Sequence, residues 1–332
     1  MKICIYGAGA IGGLVAGRLA LAGHDISVVA RGAHLTKIRE RGLRVLSDGK
    51  EFAVKIKADT DPARLGQQDY VIVAVKGQSM REVAATIAPL LGSDTSIVTA
   101  MNGVPWWFFD RLPFASESAA RGGGKLRLET LDPGGQISAA MPTARLVGCV
   151  VHLAASTPEP GLILHSMGNR LILGEPGGKN TARTQAIVDA LNATGFKAEA
   201  SAFIEKEFWV KLLGNLSVNP VAALTLATCD RLIADPYAKA YMVAIMRESL
   251  AIGRAVGVDA EIDPEARLDM ARHLGAFKPS TLQDMEAGKK LEIDGLLTGT
   301  LEIARKAGVA APYMESLLGL IRLRAATTGQ YP

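Results

Sequence analysis

Lys2-Ile-Cys-Ile-Tyr6-Gly7-Ala8-Gly9-Ala10-Ile11-Gly12 opens the chain as a strand-like apolar run that breaks into glycines at fixed spacing. Small and apolar residues then recur at helical spacing over residues 10–22. GxGxxG alone is a weak pattern, but between a strand and a helix it marks a dinucleotide-binding βαβ unit. Gly7 permits the tight turn, Gly9 lets a pyrophosphate approach the backbone, and Gly12 allows helix and sheet to pack closely. Free N–H groups at the helix start would face the anion, with Ala8, Ala10 and Ile11 completing the loop around it.

The same alternation continues outward. Residues 23–25 read as a turn, 26–30 as a second buried strand, and 33–41 as a helix ending at Gly42. Residues 70–75 form another apolar run, followed by a helix-like segment to Leu91 and a strand at 95–99. Strands alternating with helices predict a Rossmann-like α/β domain with a parallel sheet. Residues 116–135 are polar and glycine-rich, including Gly122-Gly123-Gly124, and read as an exposed loop or hairpin. Strand character returns at 145–153, 162–165, 170–173 and 197–200, with a helix at 181–194. From Phe203 the pattern becomes helical, at 205–218, 236–256, 264–274, 289–307 and 312–327. The expected division is a dinucleotide-binding Rossmann-like domain over residues 1–202 and an all-α domain over 203–332.

Composition narrows the function. Of 332 residues, 48% are hydrophobic and 21% charged, and the net charge is +4. No basic run interleaves with aromatics, so nucleic acid is not an expected partner. No signal-peptide pattern and no membrane-length apolar stretch stand out. Three cysteines without CxxC spacing fit free thiols in a reducing compartment, and a cytoplasmic protein is expected. Five histidines form no HExxH or paired cluster, so no metal site is expected. The apolar helices of the second half could pack a homodimer interface or simply their own core.

The end of the second strand bears on the cofactor. An NAD site usually has an acid there for the ribose 2′-OH. Here Val29-Ala30-Arg31-Gly32 lacks it, and a guanidinium suits a 2′-phosphate, so NADP(H) is expected. Lys76 and Asn102 follow later strands, at the sheet edge where open α/β folds bind ligands. Lys76 could reach cofactor phosphate or ribose, and Asn102 the nicotinamide ribose or substrate.

Lys211-Leu-Leu-Gly-Asn215-Leu-Ser-Val-Asn219-Pro220 places a lysine and two asparagines four apart in an apolar helix. That spacing aligns them on nearly one face, where a polar ligand would satisfy them. Pro220 disfavours α geometry at Asn219, so the helix is expected to kink or end there. A lysine in an apolar cleft beside amides is expected to have a lowered pKa, suited to proton transfer near neutral pH.

Taken together these residues resemble the ketopantoate reductase (2-dehydropantoate 2-reductase) family. The resemblance spans nearly the whole chain: GAGAIG, Arg31, Val75-Lys76, Asn102-Gly103, the Lys211–Pro220 stretch, Ser280-Thr-Leu-Gln283-Asp284 and Leu291-Glu292-Ile293-Asp294. It implies NADPH-dependent reduction of 2-dehydropantoate to pantoate, a step toward pantothenate and coenzyme A. By that resemblance Lys211 is the general acid, and Asn215, Asn219 and Ser280 hold a small 2-keto acid. Asn102 touches cofactor and substrate, Glu292 lies near the lysine and the cofactor ribose, and Ala154 approaches the cofactor. The chain departs from the family pattern at Cys229, where an asparagine is usual, and in the 116–135 segment, which looks inserted. Trp106-Trp107-Phe108 just before it reads as packing rather than cleft lining. Two other readings stay open at this level: a related reductase of another 2-keto acid, and a non-catalytic NADPH-binding sensor. An NAD-dependent opine or hydroxyacid dehydrogenase is disfavoured by Arg31.

Overall fold

The computed structural model describes residues 1–120 and 125–331, so the three glycines at 122–124 lie outside the described residues. In chain order the first part runs β1 (Lys2–Tyr6), α1 (Ala10–Leu21), β2 (Asp25–Val29), α2 (Gly32–Arg41), β3 (Leu43–Ser47), β4 (Lys50–Val54), β5 (Lys57–Asp59), β6 (Gln68–Val73), α3 (Met80–Thr86) and β7 (Leu91–Thr99). There follow α4 (Pro113–Ser118), α5 (Gln136–Ala140), β8 (Leu146–Glu159), β9 (Leu162–Gly174), α6 (Ala182–Asn192) and β10 (Lys197–Ala200). The remainder is helical: α7 (Ile204–Thr225), α8 (Cys229–Ala234), α9 (Pro236–Ala255), α10 (Pro264–Ala271), α11 (Ser280–Glu286), α12 (Gly299–Ala307) and α13 (Pro312–Thr327). No helix among the described residues is long and apolar enough to cross a membrane.

Two compact units result: Met1–Met101 with Gly134–Ile204, and Asn102–Pro133 with Glu205–Pro332. The division expected at residue 202 therefore differs in one segment, because residues 102–133 cluster with the helices. Their aromatic run explains why. Trp107 stacks edge-on against Phe208 at 5.4 Å, and Phe108 lies 5.3 Å from Trp209, so the run is buried against α7. Much of the 116–135 segment is also not the exposed loop expected. It begins in α4, and Leu128 and Asp132 further along are buried.

The first unit is one mixed sheet in the order β4-β3-β9-β8-β7-β6-β1-β2-β5, with β10 beside β9. The six strands β8-β7-β6-β1-β2-β5 are mutually parallel, while β9 turns back antiparallel to β8. The central strands are covered on both faces, which is why β1 and β6 read as unbroken apolar runs. Ile3, Ile5, Leu14, Val28, Ile72 and Val98 share that core. The β3–β4 hairpin was not expected. Its signals were the alternating burial of Leu43, Val45 and Ser47 and the Asp48-Gly49 turn, with φ of 52° and 72°.

The second unit corrects two sequence expectations. Helix α7 neither ends nor restarts at Asn219 but runs through Pro220 to Thr225. Leu216, Ser217 and Val218 before the proline and Val221, Ala222 and Ala223 after it are all buried. Packing on both sides holds the helical path despite the N–H that proline lacks. The helix expected over 289–307 begins only near its middle. A π-turn, Asp294–Thr298, leads into α12. Before it, Gly288 has φ of 65° and the Gln330 side chain donates to the carbonyls of Asp284, Met285 and Lys289. Those bonds to the tail accompany the irregular stretch 287–292 between α11 and the π-turn.

Candidate active site

The glycine turn of the first unit is built for an anion. Gly7 has φ of 102° and its N–H donates to the Val29 carbonyl at 3.1 Å, pinning the turn to β2. Gly9 precedes α1 without any side-chain cap, and the first turn of α1 holds no acid. The helix N–H groups there lack the usual side-chain acceptor, and the helix dipole adds positive character. A Cβ at Gly12 would stand 2.0 Å from the Gly7 carbonyl, whereas one at Gly9 would meet nothing within 4 Å. The open face at Gly9 is the space a pyrophosphate needs against the backbone. Ala8, Ala10 and Ile11 lie in the same turn and helix start. His34 braces it in a way the sequence did not indicate. Its Nδ1 accepts from the Gly161 N–H at 2.9 Å, so Nε2 carries the proton and donates to the Ala8 carbonyl at 2.7 Å. Burial lowers the His34 pKa, keeping the ring neutral.

Arg31 stands immediately before α2, and its Nη1 donates to both carboxylate oxygens of Glu82, at 2.8 and 2.7 Å. Lys76 lies beyond the end of β6, before a 3₁₀ turn at Gly77–Ser79. Ala154 is on β8 opposite Met167, where the register shifts.

The second unit gathers most of the other expected residues. Asn102, Asn215, Asn219, Ser280 and Glu292 line one recess, joined by Thr281, Asp284, Gly295 and Leu296. Lys211 is not in its wall but donates from Nζ to Asn102 Oδ1 at 2.7 Å, which ties the ammonium to a lining residue. The continuous helix keeps Lys211, Asn215 and Asn219 in register, with Asn219 buried. Asn102 is held by its neighbours: the Val104 N–H donates to the Gly295 carbonyl at 2.8 Å, and Gly103 has φ of 83°. Ser280 is the first residue of α11. The segment carrying Glu292 is fixed by the chain's end, since the Leu291 N–H donates to the Gln330 carbonyl at 3.0 Å and Tyr331 Oη to Asp294 at 2.7 Å. Burial and the adjacent Asp294 carboxylate push the Tyr331 hydroxyl up to about 12.

Cys229 begins α8, is buried, and is not among the residues lining the recess; burial pushes its thiol up to about 11. Arg267, on α10, donates to the Val210 carbonyl of α7 at 3.0 Å and lies beside Gly214. Burial lowers its pKa without removing its charge, so a second cation accompanies the lysine-bearing helix. Gly295 and Leu296 were not singled out from the sequence, and Thr281 and Asp284 were part of the Ser280–Asp284 stretch without a role of their own. Only the flanking Ser280 and Glu292 could have pointed to them.

Known proteins resemble this chain along its length. The model of the family described as Ketopantoate reductase PanE/ApbA matches residues 3–105, and that of its C-terminal part matches residues 204–325. The chain belongs to the ketopantoate reductase family. A curated 2-dehydropantoate 2-reductase from Mesorhizobium japonicum is 42% identical over 332 residues, covering 100% of both chains. A crystal structure from Ralstonia solanacearum MolK2, designated a ketopantoate reductase, is 47% identical with a TM-score of 0.93, covering 99% of each chain. The ternary structure of D-mandelate dehydrogenase with NADH and anilino(oxo)acetate has a TM-score of 0.84, covering 99% of each chain at 20% identity, a likeness of fold. The ketopantoate reductase family is one of pyridine-nucleotide oxidoreductases, and the glycine turn fits that cofactor class.

Proposed function

We propose that this ketopantoate reductase family member reduces 2-dehydropantoate to pantoate with NADPH, in the route to pantothenate and coenzyme A. The observation that carries the reading is the Lys211–Asn102 bond at 2.7 Å, beside a recess lined by Asn215, Asn219, Ser280 and Glu292. Full-length similarity to the Mesorhizobium japonicum reductase supports the same substrate.

The nicotinamide supplies a hydride to the carbonyl carbon. Negative charge then develops on the carbonyl oxygen, and Lys211 Nζ stabilises it and delivers a proton. An ammonium has three N–H donors, so engaging one on Asn102 restricts where the others point. Asn215, Asn219 and Ser280 donate to the substrate carboxylate or accept from its hydroxyl without adding charge. Glu292 balances the charge of Lys211 and accepts from a ribose hydroxyl. In the first unit, Gly7 to Gly12 hold the pyrophosphate, Arg31 the 2′-phosphate, and Lys76 a phosphate or ribose oxygen. Ala154 is assigned to cofactor contact on the family resemblance alone. A cytoplasmic setting is supported by a sequence whose three cysteines, Cys4, Cys149 and Cys229, show no CxxC spacing.

The test is NADPH oxidation with 2-dehydropantoate beside other branched 2-keto acids, with NADH as control. The highest kcat/KM should fall on 2-dehydropantoate with NADPH. A clear preference for another keto acid would make the chain a related reductase. Saturable NADPH binding with no turnover of any keto acid would make it a sensor.

A further inference from the structure

The acid missing from the end of β2 is supplied from elsewhere in the fold. Glu82 belongs to α3, which follows β6, whereas Arg31 follows β2. Strands β6 and β2 flank β1 on opposite sides, so the Arg31–Glu82 pair crosses the C-terminal end of β1, where the glycine turn starts. Helix α3 is fastened there: Tyr6 Oη, on the last residue of β1, lies 2.6 Å from Thr86 Oγ1, and Thr86 is itself bonded to the Glu82 carbonyl at 2.8 Å. The carboxylate is therefore presented from an anchored helix rather than from a loose loop. Both side chains are more than half exposed, at 63% and 51%, so water screens the pair and a ligand can displace it.

We propose that Glu82 is a specificity-determining residue that contests Arg31 with the 2′-phosphate and thereby lowers the preference for NADPH over NADH. The inference rests on Arg31 as the 2′-phosphate contact. To bind that phosphate, Arg31 must give up Glu82, or the carboxylate must remain beside a group of nearly two negative charges. A ribose 2′-OH makes no such demand, because a carboxylate accepts from it, as the acid at the end of the second strand does in NAD sites. Arg31 and Glu82 thus form a mixed site in which one partner favours each dinucleotide.

The experiment compares kcat/KM for NADPH and NADH in the wild type, Glu82→Gln, Arg31→Ala and the double variant, with calorimetric binding of NADP⁺ and NAD⁺. Glutamine keeps the size of the side chain and removes its charge, and thermal unfolding checks that each variant is folded. Glu82→Gln should raise the NADPH/NADH ratio about two- to fivefold, the scale of one screened charge interaction. Arg31→Ala should lower the ratio, and on that background Glu82→Gln should raise it by less than in the wild type, because the competition for Arg31 is gone and only the carboxylate's direct effect on the 2′ group is left. A merely structural Glu82 would move both cofactors together. An unchanged or lowered ratio in Glu82→Gln, with Arg31→Ala still lowering it, overturns the role of Glu82 and leaves Arg31 as the phosphate contact. A ratio unchanged by Arg31→Ala overturns both.

Discussion

Gly103→Ala should cripple turnover by moving Asn102, although residue 103 carries no reactive group. The added Cβ would stand 2.4 Å from the Gly295 carbonyl oxygen and 2.7 Å from its carbon, against backbone that cannot rotate away. Cβ contacts below 3.0 Å are essentially never seen, so the two segments must separate. The separation is at least about 0.6 Å, which takes the 2.8 Å Val104–Gly295 hydrogen bond past the normal range. A non-glycine residue at φ of 83° costs about a further 1–2 kcal/mol. With a hydrogen bond worth about 0.5–1.5 kcal/mol, the second unit should lose roughly 2–3 kcal/mol. Asn102 precedes the strained residue and holds Lys211 at 2.7 Å, and Gly295 lines the same recess beside it. A displacement approaching 1 Å at such a site costs up to about 10²-fold in rate, so kcat should fall by about 10- to 100-fold.

The assay is steady-state NADPH oxidation together with urea unfolding. NADPH binding followed by fluorescence serves as control and should weaken far less than kcat falls, since the glycine turn belongs to the other unit. A kcat within about twofold of wild type, alongside the expected loss of stability, would refute the reasoning. It would show that the position of Asn102 does not set the position of the reacting lysine.

Three further substitutions test the site and the fold. Lys211→Ala should lower kcat by about 10²–10⁴-fold, the range of general acid catalysis, with NADPH affinity nearly unchanged; full activity would remove the acid role. Gly9→Ala should leave the unfolding midpoint almost unmoved, because a Cβ there meets nothing within 4 Å, yet weaken cofactor binding at least about tenfold. Equal affinity in that variant would show that no pyrophosphate lies against this turn. Glu175 is buried and would be raised by burial, but Arg183, Thr181 and Thr184 donate to it and hold its carboxyl below the ordinary value. A depressed carboxyl contributes stability above its unfolded pKa, lost as pH falls through the folded value. Glu175→Gln should therefore cost about 1.5–3 kcal/mol at neutral pH, with the gap to wild type shrinking below about pH 4 in urea titrations. A gap constant with pH would mean that the loss is one of packing.

What could be read from the sequence was what the chain makes locally. The turn from Gly7 to Gly12 is a property of its own backbone, and the four-residue spacing of Lys211, Asn215 and Asn219 is a property of one helix. Both were legible, and the helix proved more continuous than Pro220 suggested. The parts missed depend on segments distant in sequence. Nothing near Arg31 signals Glu82, which meets it 51 residues later because β6 and β2 flank the same strand. Nothing near Glu292 signals Gln330, whose amide takes three carbonyls beside the irregular stretch that stands where a helix was expected. Those distant partners set properties that local residue types leave open. Arg31 by itself argues for a phosphate, whereas Arg31 paired with a carboxylate describes a site where two cofactors compete. Lys211 by itself could snorkel to solvent, whereas Lys211 bonded to Asn102 is a donor with a direction. Residue types identify the chemistry available to this chain, and the long-range contacts decide how selectively that chemistry is used.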